Sequence, residues 1–214
     1  MDNIPQATVR RLSLYCRYLE KKEGEGGNFI SSRELGDGIG TNAAQVRKDL
    51  CFFDRFGTPG RGYPVSFLRR RLLAILGIKD QTWRVAVIGA GKLGCALVGY
   101  GGFNRQGFEF VALLDNNPEK FGRVYGALRV EDCARLGEIV TQRRVDIAML
   151  TVPAPAAQGV LDDLTAVGVR AVLNFAPANL EIPEQVAVRN VDLAVELEGL
   201  SFFLVGLRSR AGNP

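Results

Sequence analysis

The chain contains no histidine, and its four cysteines stand far apart at positions 16, 51, 95 and 133 with no C-x-x-C pair. A metal site would have to gather scattered thiols, and a disulfide framework is not expected at 214 residues. Four reduced, partly buried thiols and no metal centre are therefore expected. Long apolar runs are also missing: nothing approaches the roughly 18 residues of a membrane helix. Met1-Asp2-Asn3-Ile4-Pro5 lacks the charged-then-apolar layout of a signal peptide. A cytoplasmic protein without membrane contact is expected. Acidic excess is absent too, and the net charge of +4 is unevenly placed. Residues 1–80 hold 14 Lys/Arg against 9 Asp/Glu, whereas residues 81–214 hold 13 against 14. A basic first third points to a polyanion met there and not elsewhere.

The text changes character near Gly77-Ile78-Lys79-Asp80-Gln81-Thr82. Before this boundary, apolar residues recur at helical spacing: Val9, Leu12, Cys16 and Leu19 predict a first helix. Ser31 with Glu34 three residues on is a capping-box signature for a short second helix. After the turn Gly40-Thr41-Asn42, a third helix places Ala43, Val46, Leu50 and Phe53 inward. Its other face carries Asn42, Gln45, Arg47, Lys48 and Asp49. Phe56-Gly57-Thr58-Pro59-Gly60-Arg61-Gly62-Tyr63 suits a tight hairpin. Val65, Leu68, Leu72 and Ile75 mark a fourth helix.

Three helices, a turn and a Gly-rich hairpin describe a winged helix-turn-helix over residues 1–80. Its third helix would enter the major groove, which is about 12 Å wide. Arg47 and Lys48 are placed to reach phosphates or base edges, and Gln45 and Asn42 to read bases. Arg61 at the wing tip is placed for the neighbouring minor groove. Arg10 and Ser31 complete the expected DNA-facing set. Taken alone, such spacing leaves a helical protein-interaction module as a serious rival.

The second part alternates. Strands are predicted at 84–88, 108–114, 145–152, 169–174 and 186–191, and helices at 92–100, 131–143 and 154–167. This order implies an α/β fold with a doubly wound parallel sheet over residues 83–191. Gly89-Ala90-Gly91-Lys92-Leu93-Gly94 follows the strand Val85-Ala86-Val87-Ile88 directly and opens a helix, the context a dinucleotide fingerprint requires. Gly89 permits the tight turn, Gly91 lets a pyrophosphate approach the backbone, and Gly94 lets the helix lie close to the sheet. Asp115 stands 21 residues beyond Gly94, where an acid binds a ribose 2′-OH. No arginine follows to receive a 2′-phosphate, which favours NAD(H) over NADP(H). Carbonyl reduction needs a placed proton donor. With no His, and with Tyr18 and Lys22 on the first helix, no catalytic residue is assigned. A small NAD-dependent oxidoreductase and a CoA- or nucleotide-binding interaction module are the alternatives. Residues 192–207 are apolar nearly all round, so they are expected to be covered by another surface.

The whole chain resembles the Rex family of redox-sensing transcriptional repressors. The likeness is carried by Ile4-Pro5 with Arg10-Arg11-Leu12, Ile30-Ser31-Ser32-Arg33-Glu34-Leu35, Ala44-Gln45-Val46-Arg47-Lys48-Asp49-Leu50 and Gly60-Arg61-Gly62-Tyr63. In the second part it is carried by the glycine fingerprint, Leu150-Thr151-Val152-Pro153-Ala154, Leu173-Asn174-Phe175-Ala176-Pro177 and Val188-Arg189-Asn190-Val191-Asp192. Cys51-Phe52-Phe53-Asp54 and Tyr100-Gly101-Gly102-Phe103 depart from the family pattern. The resemblance implies a homodimer that holds a pseudo-palindromic operator when NADH is low and releases it when NADH binds. It also implies a domain-swapped C-terminal helix at residues 192–207. Half-sites about 34 Å apart would no longer match the two recognition helices of a closed dimer. A closed apolar pocket prefers the neutral ring of NADH to the cationic ring of NAD⁺. Tyr100, Thr151, Val152, Pro153, Asn174, Phe175, Ala176 and Pro177 are the segments expected to form it. An ion pair between Arg17 and Asp192, made in one state only, is the expected inter-domain switch.

Overall fold

The computed structural model describes residues 4–53, 56–57 and 60–210, the last three without their side chains. Asp54, Thr58 and Pro59, which the sequence reading used, lie outside the described residues. The chain divides into two compact units, Met1–Gln81 and Thr82–Pro214.

The first unit is built from α1 (Gln6–Gly24), β1 (Phe29–Ile30), α2 (Ser32–Asp37), α3 (Ala43–Cys51), β2 (Tyr63–Pro64) and α4 (Val65–Ile75). β1 and β2 pair antiparallel, Phe29 opposite Pro64, and form the base of the wing. Two local side-chain caps start the short helices. Ser31 Oγ accepts from the Glu34 backbone N–H, and Asn42 Oδ1 from that of Gln45. Such caps contribute about 1 kcal/mol each, which matters for α2, only six residues long. Leu12, Tyr15, Cys16, Leu19, Ile30, Leu35, Val46, Leu50, Val65, Leu68 and Leu72 form one buried cluster. Val9 is exposed, contrary to its predicted inward face: the buried stripe of α1 runs through Thr8, Leu12, Tyr15 and Leu19 instead. Asp49 is likewise corrected. It lies fully buried rather than on the solvent face of α3.

The second unit contains β3 (Trp83–Ile88), α5 (Lys92–Gly99), β4 (Phe108–Asp115), β5 (Val124–Tyr125), β6 (Leu128–Asp132), α6 (Leu136–Arg143), β7 (Ile147–Leu150), α7 (Ala154–Ala166), β8 (Ala171–Asn174), β9 (Ala187–Asn190) and α8 (Leu193–Arg210). The sheet order is β5-β6-β4-β3-β7-β8-β9, with all neighbours parallel except β5 and β6. Two apolar layers cover its faces. One is centred on Ile88, Leu114, Leu150, Leu161 and Leu164, the other on Val85, Val87, Leu113 and Met149. β5 and β6 were not predicted. The helix expected to begin at 131 starts at Leu136, because Leu113–Asp115 pairs with Val130–Asp132 and draws Glu131 into the sheet. Setting aside β5, the strands follow the order 3-2-1-4-5-6 of a Rossmann sheet, which reverses at β3 and opens a crevice at its carboxyl end.

Candidate nucleotide site and nucleic-acid interface

The register brings the candidate residues of the second unit together. Ile88 lies opposite Leu114 on one side and Leu150 on the other. The next residues, Gly89, Asp115 and Thr151, therefore leave the sheet side by side. Gly89 has φ +107°, and a Cβ there would lie 2.7 Å from the Thr151 carbonyl oxygen. A Cβ on Gly94 would come within 2.0 Å of the Gly89 carbonyl oxygen. Gly91 faces open space, with nothing within 4 Å of such an atom. Two glycines thus close the loop onto the sheet, while the third leaves the backbone bare toward the crevice. Gly91 is the N-cap of α5 and has no side-chain cap, so the first-turn N–H groups stay available to an anion. Lys92 and Leu93 are exposed at this end.

Asp115 is 5% exposed. Its Oδ2 accepts from the Ala90 N–H at 2.8 Å and from Lys120 Nζ at 2.7 Å, and its Oδ1 from the Asn117 N–H at 2.9 Å. Burial pushes the carboxyl pKa up, but these donors outweigh it and hold the group below the ordinary carboxylate value. Asp115 therefore anchors the glycine loop as well as facing the crevice. Lys120 was missed by the sequence reading, and it places a cation beside Asp115 where no arginine follows to receive a 2′-phosphate. Only its five-residue spacing from Asp115 hinted at it.

Thr151 Oγ1 donates to the Gly89 carbonyl at 2.7 Å, so this residue braces the loop from the next strand. Val152 is half-buried against the core, and Pro153 caps α7. Asn174 is 1% exposed. Its Nδ2 donates to the Ala176 carbonyl and to Asn190 Oδ1, each at 3.0 Å, and its Oδ1 accepts from the Ala176 N–H. It is a strut rather than a free polar group. A cavity of about 570 Å³ opens beside it, lined by Leu93, Phe175, Ala176, Pro177, Asn190 and Asp192 among others. Tyr100 is exposed and stacks edge-on to Phe103 at 5.3 Å. Asp192 Oδ1 accepts from the Ala194 N–H at the start of α8.

In the first unit, Arg10, Lys48 and Arg17 are exposed. Arg47 Nη1 donates to Ser32 Oγ at 3.4 Å. The Arg61 guanidinium lies 4.3 Å over the exposed Phe29 ring. Beneath these groups sits a polar cluster that the sequence reading did not find. Asp49 accepts from Arg11 Nε at 2.6 Å and Nη2 at 2.7 Å, Tyr15 OH at 2.9 Å, Gln45 Nε2 at 2.8 Å and Thr8 Oγ1 at 3.1 Å. Burial pushes its pKa up, but the donors outweigh that and hold the carboxyl below its ordinary value, so it stays ionised. Burial, together with the same carboxylate, drives the Tyr15 phenol far above its ordinary value. No metal-binding group of His, Cys, Asp or Glu exists among the described residues. No helix among them is long and apolar enough to cross a membrane.

A winged helix-turn-helix joined to a Rossmann sheet whose glycine loop is bare toward the crevice defines a ligand-responsive, DNA-binding type of protein. Residues 3–51 match the family described as "Putative DNA-binding protein N-terminus", and residues 80–178 the family described as "CoA binding domain". The chain is 47% identical over 201 residues to the redox-sensing transcriptional repressor Rex of Syntrophomonas wolfei, covering 94% of this chain and 95% of that one. Two crystal structures superpose along the whole length. RSP in complex with beta-NADH gives a TM-score of 0.88 at 34% identity and 99% coverage of both chains. RSP in complex with beta-NAD⁺ and operator DNA gives 0.90 at 34% identity and 100% coverage of both. This chain belongs to the Rex family of redox-sensing transcriptional repressors.

Proposed function

We propose that the protein represses transcription by holding operator DNA through its first unit and lets go when NADH enters the crevice of its second. The observation that carries this reading is the glycine loop. Gly89 and Gly94 are closed against protein atoms, whereas Gly91 and the α5 N-terminus are left facing open space. That is the arrangement a pyrophosphate needs. Ala90, Lys92 and Leu93 complete this cradle, Asp115 and Lys120 face the ribose, and Tyr100, Thr151, Val152, Pro153, Asn174 and Phe175 border the nicotinamide end. NADH is preferred to NAD⁺ because its uncharged ring leaves water at a smaller cost than a cationic one when it packs on the Leu93 and Phe175 side chains of the cavity.

On the DNA side, Gln45, Arg47 and Lys48 face the major groove, Arg61 the minor groove, and Arg10 and Ser31 the backbone. The chain works as a homodimer in the cytoplasm. α8 supplies the contact: Leu193 to Leu207 stand 53–76% exposed at every large apolar position, a surface that a lone chain does not keep. Arg17 and Asp192 form an ion pair in one of the two states. No catalysis is assigned. Operator affinity measured with NADH, with NAD⁺ and with neither, at one salt concentration, tests the reading. NADH is expected to weaken binding by about 5- to 150-fold, a coupling of about 1–3 kcal/mol. Equal affinity in all three conditions would refute it.

A further inference from the structure

Gln45 is the third residue of α3, at the end of a recognition helix that meets base edges. In a capping box, a glutamine three residues after an asparagine cap turns back to the cap N–H. Here it turns the other way. Its Nε2 donates to Asp49 Oδ1 at 2.8 Å, and Asp49 is itself pinned by Arg11, Tyr15 and Thr8. An ionised carboxylate only accepts hydrogen bonds, so the amide has one permitted orientation, with nitrogen inward and oxygen outward. Among the described residues nothing donates to Gln45 Oε1, and no buried side-chain oxygen is left without a partner. Oε1 therefore reaches solvent.

We propose that the Asp49 cluster fixes Gln45 as a hydrogen-bond acceptor, so that it reads a base carrying an exocyclic amine in the major groove, adenine N6 or cytosine N4. The inference rests on the repressor reading and sharpens it. Guanine offers only acceptors in the major groove and thymine only an acceptor and a methyl, so neither satisfies an outward oxygen. A phosphate would be repelled by it. Gln45 thus specifies sequence at that base.

The test uses the full chain and the operator it selects from random duplexes. Each adenine of a half-site is replaced in turn by 2-aminopurine and each cytosine by 2-pyrimidinone, which removes the major-groove amine. Wild type should lose about 5- to 10-fold in affinity at one position, a modest single contact. Gln45→Ala should show no loss at that position and keep the wild-type salt slope and the response to NADH, although loss of its hydrogen bond to buried Asp49 lowers the melting temperature. Three results would overturn the proposal: selectivity lost at a guanine or thymine instead, a uniform loss across all duplexes with a shallower salt slope, or no change with Gln45→Ala. Absence of operator binding by wild type would instead sink the repressor reading on which the proposal rests.

Discussion

Each glycine of the loop separates a structural demand from a ligand demand. Gly91→Ala introduces a methyl into space that no protein atom occupies. The melting temperature should stay within about 1 °C, while NADH affinity falls at least about tenfold through contact with the pyrophosphate. Gly94→Ala drives its methyl onto the Gly89 carbonyl and should lower both. Calorimetric titration and thermal unfolding of the two variants check this, and an unchanged NADH affinity in Gly91→Ala would remove the cradle from the account. A second residue-scale expectation concerns Arg11. Its guanidinium is the main partner of a fully buried carboxylate. Arg11→Met should destabilise the first unit by about 3 kcal/mol in urea unfolding, because Asp49 keeps its charge and loses its counter-ion. The depressed pKa of Asp49 also sets a sign for pH. Its stabilising contribution is complete above the ordinary carboxylate value of about 4 and disappears as pH falls through the lower folded value. Loss of stability at alkaline rather than acid pH would contradict that assignment.

Elements were legible in the sequence where their period was long or their motif local. The Rossmann strands β3, β4, β7, β8 and β9 stood out as β-branched runs, and the loop after β3 by its glycines. β5 and β6 did not, because β5 has only two residues and a turn at Gly126, with φ +58°, ties it to β6, which carries no β-branched run. The alternation Leu128-Arg129-Val130-Glu131 was their only signal, and Glu131 was instead assigned to the following helix. Asp49 was misplaced for a different reason. Helical periodicity sorts polar from apolar, and a buried carboxylate with donors from α1 and α3 depends on contacts between residues 38 and 41 positions apart. Lys120 belongs to the same class: its role follows from a fold around Asp115 that no pattern announces. α8, by contrast, was conspicuous for having no polar face. Phe203→Glu together with Val205→Glu places two charges on that surface without touching either core. Sedimentation should then report a monomer, and operator affinity should fall about 100-fold or more as two half-site contacts become one. A dimer that survives both charges would exclude α8 as the interface.

At the scale of the whole molecule, the proposed function sets two occupants of one chain in competition. On that proposal DNA favours one arrangement of a dimer and NADH another, so each weakens the other. The related RSP has been crystallised with beta-NADH and with beta-NAD⁺ plus operator DNA. Thermodynamic linkage makes the coupling reciprocal: whatever factor NADH imposes on operator binding, operator must impose on NADH. The most direct measurement is NADH affinity, by titration calorimetry, for the full chain with and without saturating operator duplex at fixed salt. Operator should raise the NADH dissociation constant by the same 5- to 150-fold factor that NADH imposes on operator, on the order of a 1–3 kcal/mol coupling. An NADH affinity that is the same on and off the DNA would contradict the account.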